Sequence, residues 1–406
     1  MAWRNLWRSK RRTLITLGSV AFGVWLAVTF IGVGENSYSG MLETGARLGA
    51  GHVTIQPAGY QDTPGLDHSL SDASTIRESL AKDPTVERAV ARINGQAMFA
   101  TARRSLGGAL FAIDPRHEGA EDNVLLDAIV EGAVFEAPTA KQIVIGRGMA
   151  KKLGVGLKKR VVYTLVDEEG ELVSDVARVV GIFETGVVEV DSGVALVPID
   201  TARKLLSYGP EEATMVAVFL ADHREAAEAR DRFLGTYDGE GREILTWRQT
   251  QPELAGIIAM DRTMNYVFQI LIGLLIGAGV FNTLLMSVLE RRREFGVMMA
   301  IGTRPRELFE LVVAESVLVG IAGLIVGAIA TVPWYWFMRT KGIDISQVQG
   351  MQTSVNGVLV DPVMRLLLYP SSMVAILCGV LVLTVLAGLY PAWQAGRVPP
   401  VESLKV

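Results

Sequence analysis

The chain has 406 residues, which is enough for two or three structural units; half are hydrophobic and only 20% are charged. The formal net charge of −4 argues against a nucleic-acid-binding protein, because no basic excess exists to neutralise phosphates. Cys378 is the only cysteine, which excludes an intrachain disulfide and a metal site built from several thiolates.

Four segments without Asp, Glu, Lys or Arg are long enough to cross a bilayer, which needs about 20 apolar residues. They are Thr13–Gly34, Met264–Leu289, Ser316–Met338 and Leu366–Gly396, the last trimmed by two prolines to a core at 371–390. The alternative, buried helices of a soluble enzyme, is disfavoured because such helices rarely run so far without a charge. The first segment also exceeds the about 7–15 apolar residues of a cleaved signal, so we interpret it as an anchor.

The charges of the short flanking segments give the orientation, because cytoplasmic loops carry the excess of Lys and Arg. The N-terminus and the loop at 290–307 are basic, whereas the loop at 339–370 carries only Arg339, Lys341 and Arg365. The sequence therefore predicts a multi-pass α-helical membrane protein with four transmembrane helices and both termini in the cytoplasm. A large extracytoplasmic domain lies between the first and second helices.

The outer segment, residues 35–263, has the alternating strands and amphipathic helices of a folded α+β domain. Strands are predicted at 52–56, 86–93, 96–102, 109–113, 214–220 and 243–246, with helices at 74–82 and 224–234. This order resembles a split βαβ unit interrupted by an insert at about 115–210 with strands at 160–166, 176–183 and 194–197. Residues 251–262 are predicted to be helical and to continue into the second span as a stalk.

Motifs for catalysis are absent from the sequence. It contains no phosphate-binding loop, no nucleophile elbow and no His-Glu-x-x-His pair, and its four histidines lack ligand spacing. No charged residue lies near mid-bilayer in the predicted spans, which disfavours an ion-driven transporter. We therefore predict no catalytic, metal or cofactor-binding residue in this chain.

The segment from Glu290 to Arg306 is amphipathic at helical spacing. Phe295, Met298, Met299 and Ile301 are predicted to share an apolar side, while Glu290, Arg291 and Glu294 stay polar. Gly302 is a plausible helix C-cap, and Pro305 is a plausible start for the next helix. The pattern alone fits either a short interfacial helix in a basic loop or a helix presented to a cytoplasmic partner.

The segment Glu290–Glu315, ERRREFGVMMAIGTRPRELFELVVAE, resembles the cytoplasmic loop of the FtsX-like, or MacB-type, ABC transporter permeases. Residues 2–14 (AWRNLWRSKRRTL) are similar to the N-terminus of that family, and residues 390–397 (YPAWQAGR) with 400–404 (PVESL) are similar to its C-terminus. The resemblance covers the whole chain in topology and these three segments closely.

The resemblance implies an inner-membrane protein of bacteria whose large domain is periplasmic. It also implies a dimer with a second permease copy or paralogue, and a separate cytoplasmic ABC ATPase that binds the ATP and magnesium. The residues expected to couple the permease to that ATPase are Glu290, Arg293, Glu294, Phe295, Gly302 and Arg306. Energy would then reach the periplasm by mechanotransmission, without a pore through the membrane.

Within the family, the chain is most similar to the lipoprotein-releasing (LolC/LolE) type, which shares its length and a strand like the one at 51–55. A periplasmic chaperone or adaptor is then a further expected partner, with the turn at 167–171 one candidate for its docking, although a solvated turn is the simpler interpretation. The alternatives are export of a peptide, antibiotic or lipid with an adaptor, or a non-transporting regulator of cell-wall hydrolases or a sensor kinase.

Two further patterns occur in the spans. Gly273 with Gly277, and Gly323 with Gly327, are small-x-x-x-small pairs that let helices approach closely, within one subunit or across a dimer. A face of the second helix near the outer leaflet could touch lipid or an acyl-chain substrate; it consists of Met260, Met264, Phe268 and Ile272.

The predicted units are 1–34, a cytoplasmic helix and first span; 35–263, the periplasmic domain and stalk; 264–289, the second span; 290–307, the coupling segment; 308–338, the third span; 339–370, an outer loop; 371–391, the fourth span; and 392–406, a cytoplasmic tail.

Overall fold

The computed structural model describes residues 10–237, 239, 241–344, 354–355, 358–359 and 363–397. The chain forms two compact units. One, which we call the membrane unit, comprises Met1–Tyr38, Ala259–Gln347 and Pro362–Val406; the other, which we call the periplasmic unit after the location that the resemblance implies, comprises Ser39–Ile258 and Val348–Asp361. The family motif at 2–9, most of the loop at 345–362 and the tail beyond Arg397 lie outside the described residues.

Helices and strands are numbered in chain order. The helices are α1 (Lys10–Gly45), α2 (Ala73–Leu80), α3 (Val124–Asp127), α4 (Arg147–Leu153), α5 (Val188–Gly193), α6 (Ile199–Leu206), α7 (Ala226–Tyr237), α8 (Trp247–Thr250), α9 (Pro252–Glu290), α10 (Arg292–Ala300), α11 (Pro305–Thr340) and α12 (Pro370–Ala395). The strands are β1 (Val53–Pro57), β2 (Val86–Ala100), β3 (Ser105–Ile113), β4 (Ile129–Gly132), β5 (Gln142–Gly146), β6 (Arg160–Val166), β7 (Leu172–Phe183), β8 (Val194–Pro198), β9 (Met215–Leu220), β10 (Arg242–Thr246), β11 (Ile343–Asp344), β12 (Ser354–Val355), β13 (Val358–Leu359) and β14 (Val363–Met364).

Four of the helices, α1, α9, α11 and α12, are long and apolar enough to cross a membrane, as the sequence predicts. Two of them, α1 and α12, extend by four or more residues past the C-terminal ends of the predicted spans. Helix α1 continues to Gly45 and then into a π-helical turn at Ala46–Ala50, because no Gly-Pro break follows Gly34. Helix α12 runs through Pro391 to Ala395, since one missing backbone donor does not end a membrane helix.

The stalk prediction corresponds to a single helix. Helix α9 runs for 39 residues from Pro252 to Glu290 without interruption at Gly256. An isolated glycine costs a helix only about 1 kcal/mol relative to alanine, which the neighbouring turns readily offset. The residues predicted as stalk and second span therefore form one element.

The membrane unit has an apolar core made by three helices. Its buried side chains are Val20 and Val24 of α1, Ile276, Val280 and Leu284 of α9, and Ile376 and Val380 of α12. Lipid chains are as apolar as these side chains, so close packing, not exclusion from water, holds the helices together.

The periplasmic unit contains the predicted split βαβ arrangement. Strands β10, β1, β9 and β2 pair in that order, and each neighbouring pair is antiparallel. Helix α2 connects β1 to β2, and α7 follows β9 before β10. This is the order of a ferredoxin-like βαββαβ unit, with the segment from β3 to β8 inserted between its halves.

Strand β2 belongs to both parts of the periplasmic unit. Its first half pairs with β9, and its second half pairs with β3 and β6. The sequence predicted two strands separated near Gly95, which was wrong: Gly95 stays in the strand, paired with Leu110 of β3. A Cβ at this position would lie 2.7 Å from Cδ2 of Leu66, so any other residue would force the Leu66 side chain to move.

The insert closes on itself. Its pairings run from β2 to β3, β8, β5, β7 and β6 and back to β2, so six strands form a ring without a free edge. The core includes Ile113, Val144, Phe183 and Leu196, all fully buried. Strands β4 and β5 were not predicted from the sequence.

A buried ion pair joins β2 to the loop that follows β3. The Arg92 guanidinium donates from Nη2 to Glu118 Oε1 at 2.7 Å and from Nε to Glu118 Oε2 at 3.1 Å, and both side chains are 1% exposed. Arg92 also donates to the carbonyls of Gly49 and Asp122, and Asn123 donates to Glu118. Every charge-bearing atom of the pair is thereby satisfied.

Candidate functional site

The segment between the second and third spans forms the short helix α10, held by one buried ring. Phe295 is fully buried among Val288 of α9, Leu308 and Val312 of α11, and residues of α12. Met298 and Met299 pack against the same cluster, as their spacing predicts. Helix α10 therefore has a fixed inner face within the membrane unit.

The end of α10 is a Schellman motif. Thr303 donates its backbone N–H to the carbonyl of Met298 at 3.0 Å, and Gly302 donates to Met299 at 3.1 Å. Gly302 has a φ of 103°, a backbone conformation that residues other than glycine rarely adopt. Helix α11 then begins at Pro305, whose fixed φ and missing donor suit the first helical position. Both signals were predicted from the sequence.

An exposed stripe runs along the outer face of α10 and onto the residue that follows it; it is formed by Arg293, Val297 and Ile301, three positions four residues apart. Val297 is 46% exposed and Ile301 is 78% exposed. The prediction that Ile301 shares the buried side of Phe295 was wrong. Six residues along a helix correspond to a rotation that leaves Ile301 about 120° from Phe295.

Arg291, between α9 and α10, bridges two glutamates that the sequence did not connect. Its Nη1 donates to Glu315 Oε1 at 2.8 Å, and its Nε donates to Glu294 Oε2 at 3.2 Å. Burial alone would lower the pKa of Arg291, but the hydrogen bonds and charges of Glu315 and Glu294 outweigh burial and raise it. The guanidinium is thus a permanent charge that ties α10 to α11.

The structure brings the predicted coupling residues together but gives them different positions. Glu290 and Arg293 are exposed, and Arg306 is exposed and pairs with Glu310 at 3.2 Å. Glu294 is partly exposed beside Arg291, whereas Phe295 is buried and anchors the inner face of α10 to the neighbouring helices. Their role towards a partner stays a prediction. Val297 and Glu315 were missed, although the i+4 spacing from Arg293 could have indicated Val297.

The two glycine pairs have different surroundings. A Cβ on Gly323 would lie 2.6 Å from Val20 Cγ1, and one on Gly327 would lie 2.9 Å from Val24 Cβ, so both glycines let α11 approach α1 within the subunit. A Cβ on Gly273 would lie 3.0 Å from Leu383 Cδ1, whereas one on Gly277 would meet no described atom within 4 Å. A role in a dimer stays a prediction.

The predicted apolar face of α9 is open at three positions. Met260 is 66% exposed, Met264 58% and Phe268 50%, while Ile272 packs against the core of the membrane unit. Phe268 also stacks on Phe30 of α1 with ring centroids 6.1 Å apart. Contact with acyl chains stays a prediction for the three exposed side chains.

The turn at 167–171 is the tip of the β6–β7 hairpin. Asp167 Oδ1 accepts from the backbone N–H groups of Glu169 at 3.0 Å and Glu171 at 2.8 Å. These bonds give the Asp167 carboxylate a structural role in the turn, and docking of a partner there stays a prediction. Among the described residues, no group of three His, Cys, Asp or Glu side chains is arranged to hold a metal ion.

Comparison with known proteins gives two family matches. Residues 13–235 match the MacB-like periplasmic core domain, and residues 266–400 match the FtsX-like permease C-terminal region. The first match alone covers more than half of the chain.

Curated relatives are similar along nearly the whole chain. The lipoprotein-releasing system transmembrane protein LolC of Xylella fastidiosa (strain 9a5c) is 26% identical over 98% of this chain and 96% of its own length. The pyoverdine export ATP-binding/permease protein PvdT of Pseudomonas entomophila (strain L48) is 28% identical over 99% of this chain, which spans 58% of its length. The macrolide export ATP-binding/permease protein MacB of Bordetella avium (strain 197N) is 26% identical over 97% of this chain, which spans 57% of its length.

The family matches agree with the structure, which has four candidate spans and a large α/β unit between the first two. The large unit is periplasmic, and the α9–α11 connection is on the cytoplasmic side of the inner membrane. The chain belongs to the FtsX-like, MacB-type superfamily of ABC transporter permeases.

Proposed function

We propose that this protein is coupled through α10 to a separate cytoplasmic ATP-binding subunit that binds ATP and Mg²⁺, and that its cargo is lipoproteins of the inner membrane. The exposed stripe of Arg293, Val297 and Ile301 on a rigidly held helix is the observation that carries the coupling. When a helix binds in a groove of a partner protein, side chains at such i, i+4 spacing make the anchoring contacts.

The chemistry of the stripe favours a protein partner. Fully burying a valine or isoleucine side chain stabilises a complex by about 1.5–3 kcal/mol. Val297 and Ile301 are both exposed and would gain this free energy in a partner's groove. The stripe carries Arg293 at one end, and Arg306 lies at the start of α11. A groove with apolar pockets and an acidic rim would complement this surface.

Force applied to α10 would pass to the spans through two connections described above. The Phe295 ring packs against α9, α11 and α12, and Arg291 links α10 to Glu315 of α11. A displacement of α10 would therefore move whole helices, because a close-packed cluster transmits strain. In this way, movement driven by ATP hydrolysis in a partner would be transmitted to the periplasm without a pore.

The lipoprotein cargo is supported by the exposed apolar side chains Met260, Met264 and Phe268 on α9 and by the similarity to LolC. Acyl chains are apolar and flexible, and methionine side chains adapt to such ligands. A second candidate cargo, a small exported molecule such as a siderophore or macrolide, is favoured by the similar identity to PvdT and MacB.

The coupling is tested with Val297→Asp and Ile301→Asp in the full-length protein, co-expressed with the ATP-binding subunit of the same organism. Each aspartate should abolish co-purification of that subunit, because a charge cannot enter an apolar pocket without a partner. Val188→Asp is the matched control, since Val188 is 70% exposed in the periplasmic unit. Retained binding in both α10 variants would overturn the coupling surface.

The cargo is tested in spheroplasts depleted of the protein and supplied with variants. Met264→Asp should reduce the release of acylated lipoproteins while ATPase binding is retained. Release at the wild-type level, together with loss of siderophore or macrolide export, would replace the lipoprotein assignment with the export assignment.

A further inference from the structure

A small cavity lies at the cytoplasmic end of the membrane unit, between the end of α9, the start of α10 and the end of α12. Its volume is about 240 Å³, below the about 300–1,000 Å³ of sites for drug-sized ligands. The lining residues are Val288, Leu289, Arg292, Tyr390, Trp393, Gln394 and Arg397. The cavity is therefore smaller than a site for a drug-sized ligand, and its lining combines apolar, aromatic and cationic side chains.

Among the described residues that line the cavity, two carry a positive charge and none a negative one. Arg292 and Arg397 are the ionisable side chains of that lining, together with the Tyr390 phenol. Within the described residues, neither guanidinium forms an ion pair, in contrast to Arg291, which bridges two glutamates. Two guanidiniums sharing one cavity repel each other, so an anion between them would relieve that repulsion.

Aromatic side chains hold one of the charges at the membrane surface. The Arg397 guanidinium stacks on the Trp393 ring with Cζ 3.9 Å from its centroid. The ring centroids of Trp393 and Tyr390 are 5.9 Å apart, and those of Tyr390 and Phe281 of α9 are 5.7 Å apart. Trp and Tyr side chains about half exposed at the end of a span are typical of the level of the lipid head groups.

One polar atom of the cavity lacks a partner among the described residues. Gln394 Oε1 is buried and accepts no hydrogen bond there. Buried acceptors are nearly always satisfied by protein, water or a ligand, so this oxygen is available to a donor from a bound molecule. The cavity thus offers two cationic donors and one neutral acceptor.

We propose that this cavity binds the head group of an anionic phospholipid from the cytoplasmic leaflet. Arg292 and Arg397 hold the phosphate, and a head-group hydroxyl, as in phosphatidylglycerol, donates to Gln394 Oε1. Basic pockets between transmembrane helices on the cytoplasmic side bind acidic head groups in this manner. A choline head group fits poorly, because it has no hydroxyl and brings a positive charge to two guanidiniums.

The site would connect lipid composition to the coupling helix. Arg292 is the first residue of α10, and Arg397 follows the last turn of α12. A lipid phosphate shared by the two residues fixes the start of α10 against α12 at the membrane surface. This proposal goes beyond the ATPase coupling and does not require it, since lipid binding can be measured on the permease alone.

The test uses the full-length protein purified in a neutral detergent. Thermal unfolding is followed during titration with dihexanoyl phosphatidylglycerol, dihexanoyl phosphatidylcholine or sodium phosphate, since a ligand that binds only the folded state raises its midpoint. Phosphatidylglycerol should bind at least about tenfold more tightly than phosphatidylcholine, and the Arg292→Gln/Arg397→Gln double variant should lose that difference. Arg248→Gln is the matched control, because Arg248 also stacks on a tryptophan, at 5.4 Å, in the periplasmic unit.

Three results would overturn the proposal: equal affinity for the two lipids, wild-type affinity in the double variant, or equal protection by sodium phosphate, which would identify a free-phosphate site. If the double variant does not fold, Gln394→Glu keeps both arginines and introduces a carboxylate beside the phosphate. It should weaken phosphatidylglycerol binding at least about tenfold, and unchanged affinity in that variant would equally exclude the lipid.

Discussion

The periplasmic and membrane units each contain a buried arginine–glutamate pair, and the two pairs are built differently. In the periplasmic unit, Arg92 and Glu118 are both 1% exposed, and backbone carbonyls and Asn123 complete their hydrogen bonds. In the membrane unit, Arg291 is 16% exposed and divides its guanidinium between Glu315, which is 8% exposed, and Glu294, which is 42% exposed.

The difference indicates two purposes for similar chemistry. A fully desolvated and saturated pair has one low-energy arrangement, because any displacement leaves a buried charge unsatisfied. An arginine with two partners of unequal burial can exchange one for the other at a smaller cost. We therefore expect the first pair to fix a fold and the second to allow α10 to move.

Glu118→Ala should have the largest effect. It leaves the Arg92 charge buried without its partner, which typically costs about 3–5 kcal/mol of unfolding free energy. Urea-dependent protease cleavage within residues 39–258 of the full-length protein measures that loss. Glu121→Ala is the control, since Glu121 is 88% exposed. A loss below about 1 kcal/mol would show that the pair does not fix the fold.

Glu315→Ala should have a smaller effect on stability. Arg291 keeps Glu294 and some access to water, so the cost should be about 1.5–3 kcal/mol, the usual value for a hydrogen bond to a charged group. Stimulated ATPase activity should fall more steeply than thermal stability. Equal losses in Glu315→Ala and Glu118→Ala, measured by the same unfolding assay, would remove the contrast between the pairs.

Acid should weaken the periplasmic unit by protonating Asp114, which begins the loop that also carries Glu118. Burial alone would raise the pKa of Asp114, but hydrogen bonds from Arg116 and His117 lower it to about 2. Its carboxylate therefore contributes stability above the ordinary pKa near 4, and that stability is lost as the pH falls through about 2. Allowing for solvent screening, the contribution is about 1–2 kcal/mol.

Asp114→Asn checks this contribution. The variant should be less stable than the wild type at pH 6, and the difference in unfolding free energy should shrink towards pH 2. A difference that does not change with pH would assign the loss to packing.

Glu294→Ala should have the smallest effect on stability, about 0.5 kcal/mol, because the pair with Arg291 is partly exposed and three residues apart on a helix. Thermal unfolding of the variant beside Glu315→Ala measures the difference between the two partners of Arg291. An effect as large as that of Glu315→Ala would mean that the partners are equivalent.

Local signals in the sequence predicted much of the membrane unit. The four spans, the start of α11 at Pro305 and the end of α10 at Gly302 depend on residues within a few positions of one another. The split βαβ order was also predictable from the alternation of strands and helices. Such features need no knowledge of distant contacts.

The remaining features depend on distant pairing. Glu315 is the last charged residue before the apolar segment Ser316–Met338, and only the fold brings it to Arg291, 24 residues earlier. The closed ring of six strands requires β6 to return to β2, which no local pattern specifies. Gly95 is a break signal in the sequence, yet Leu66 occupies the space beside it and the strand continues.

Strand β2 also has a consequence for biosynthesis. Its second half obtains β3 as a partner soon after it leaves the translocation channel, whereas its first half must wait for β9, which follows the whole insert. Contacts so distant along the chain form slowly, so the insert should complete its ring first. Until β9 arrives, β1 and the first half of β2 are unpaired edges, and this interval is when the nascent protein is most exposed to aggregation and periplasmic proteases.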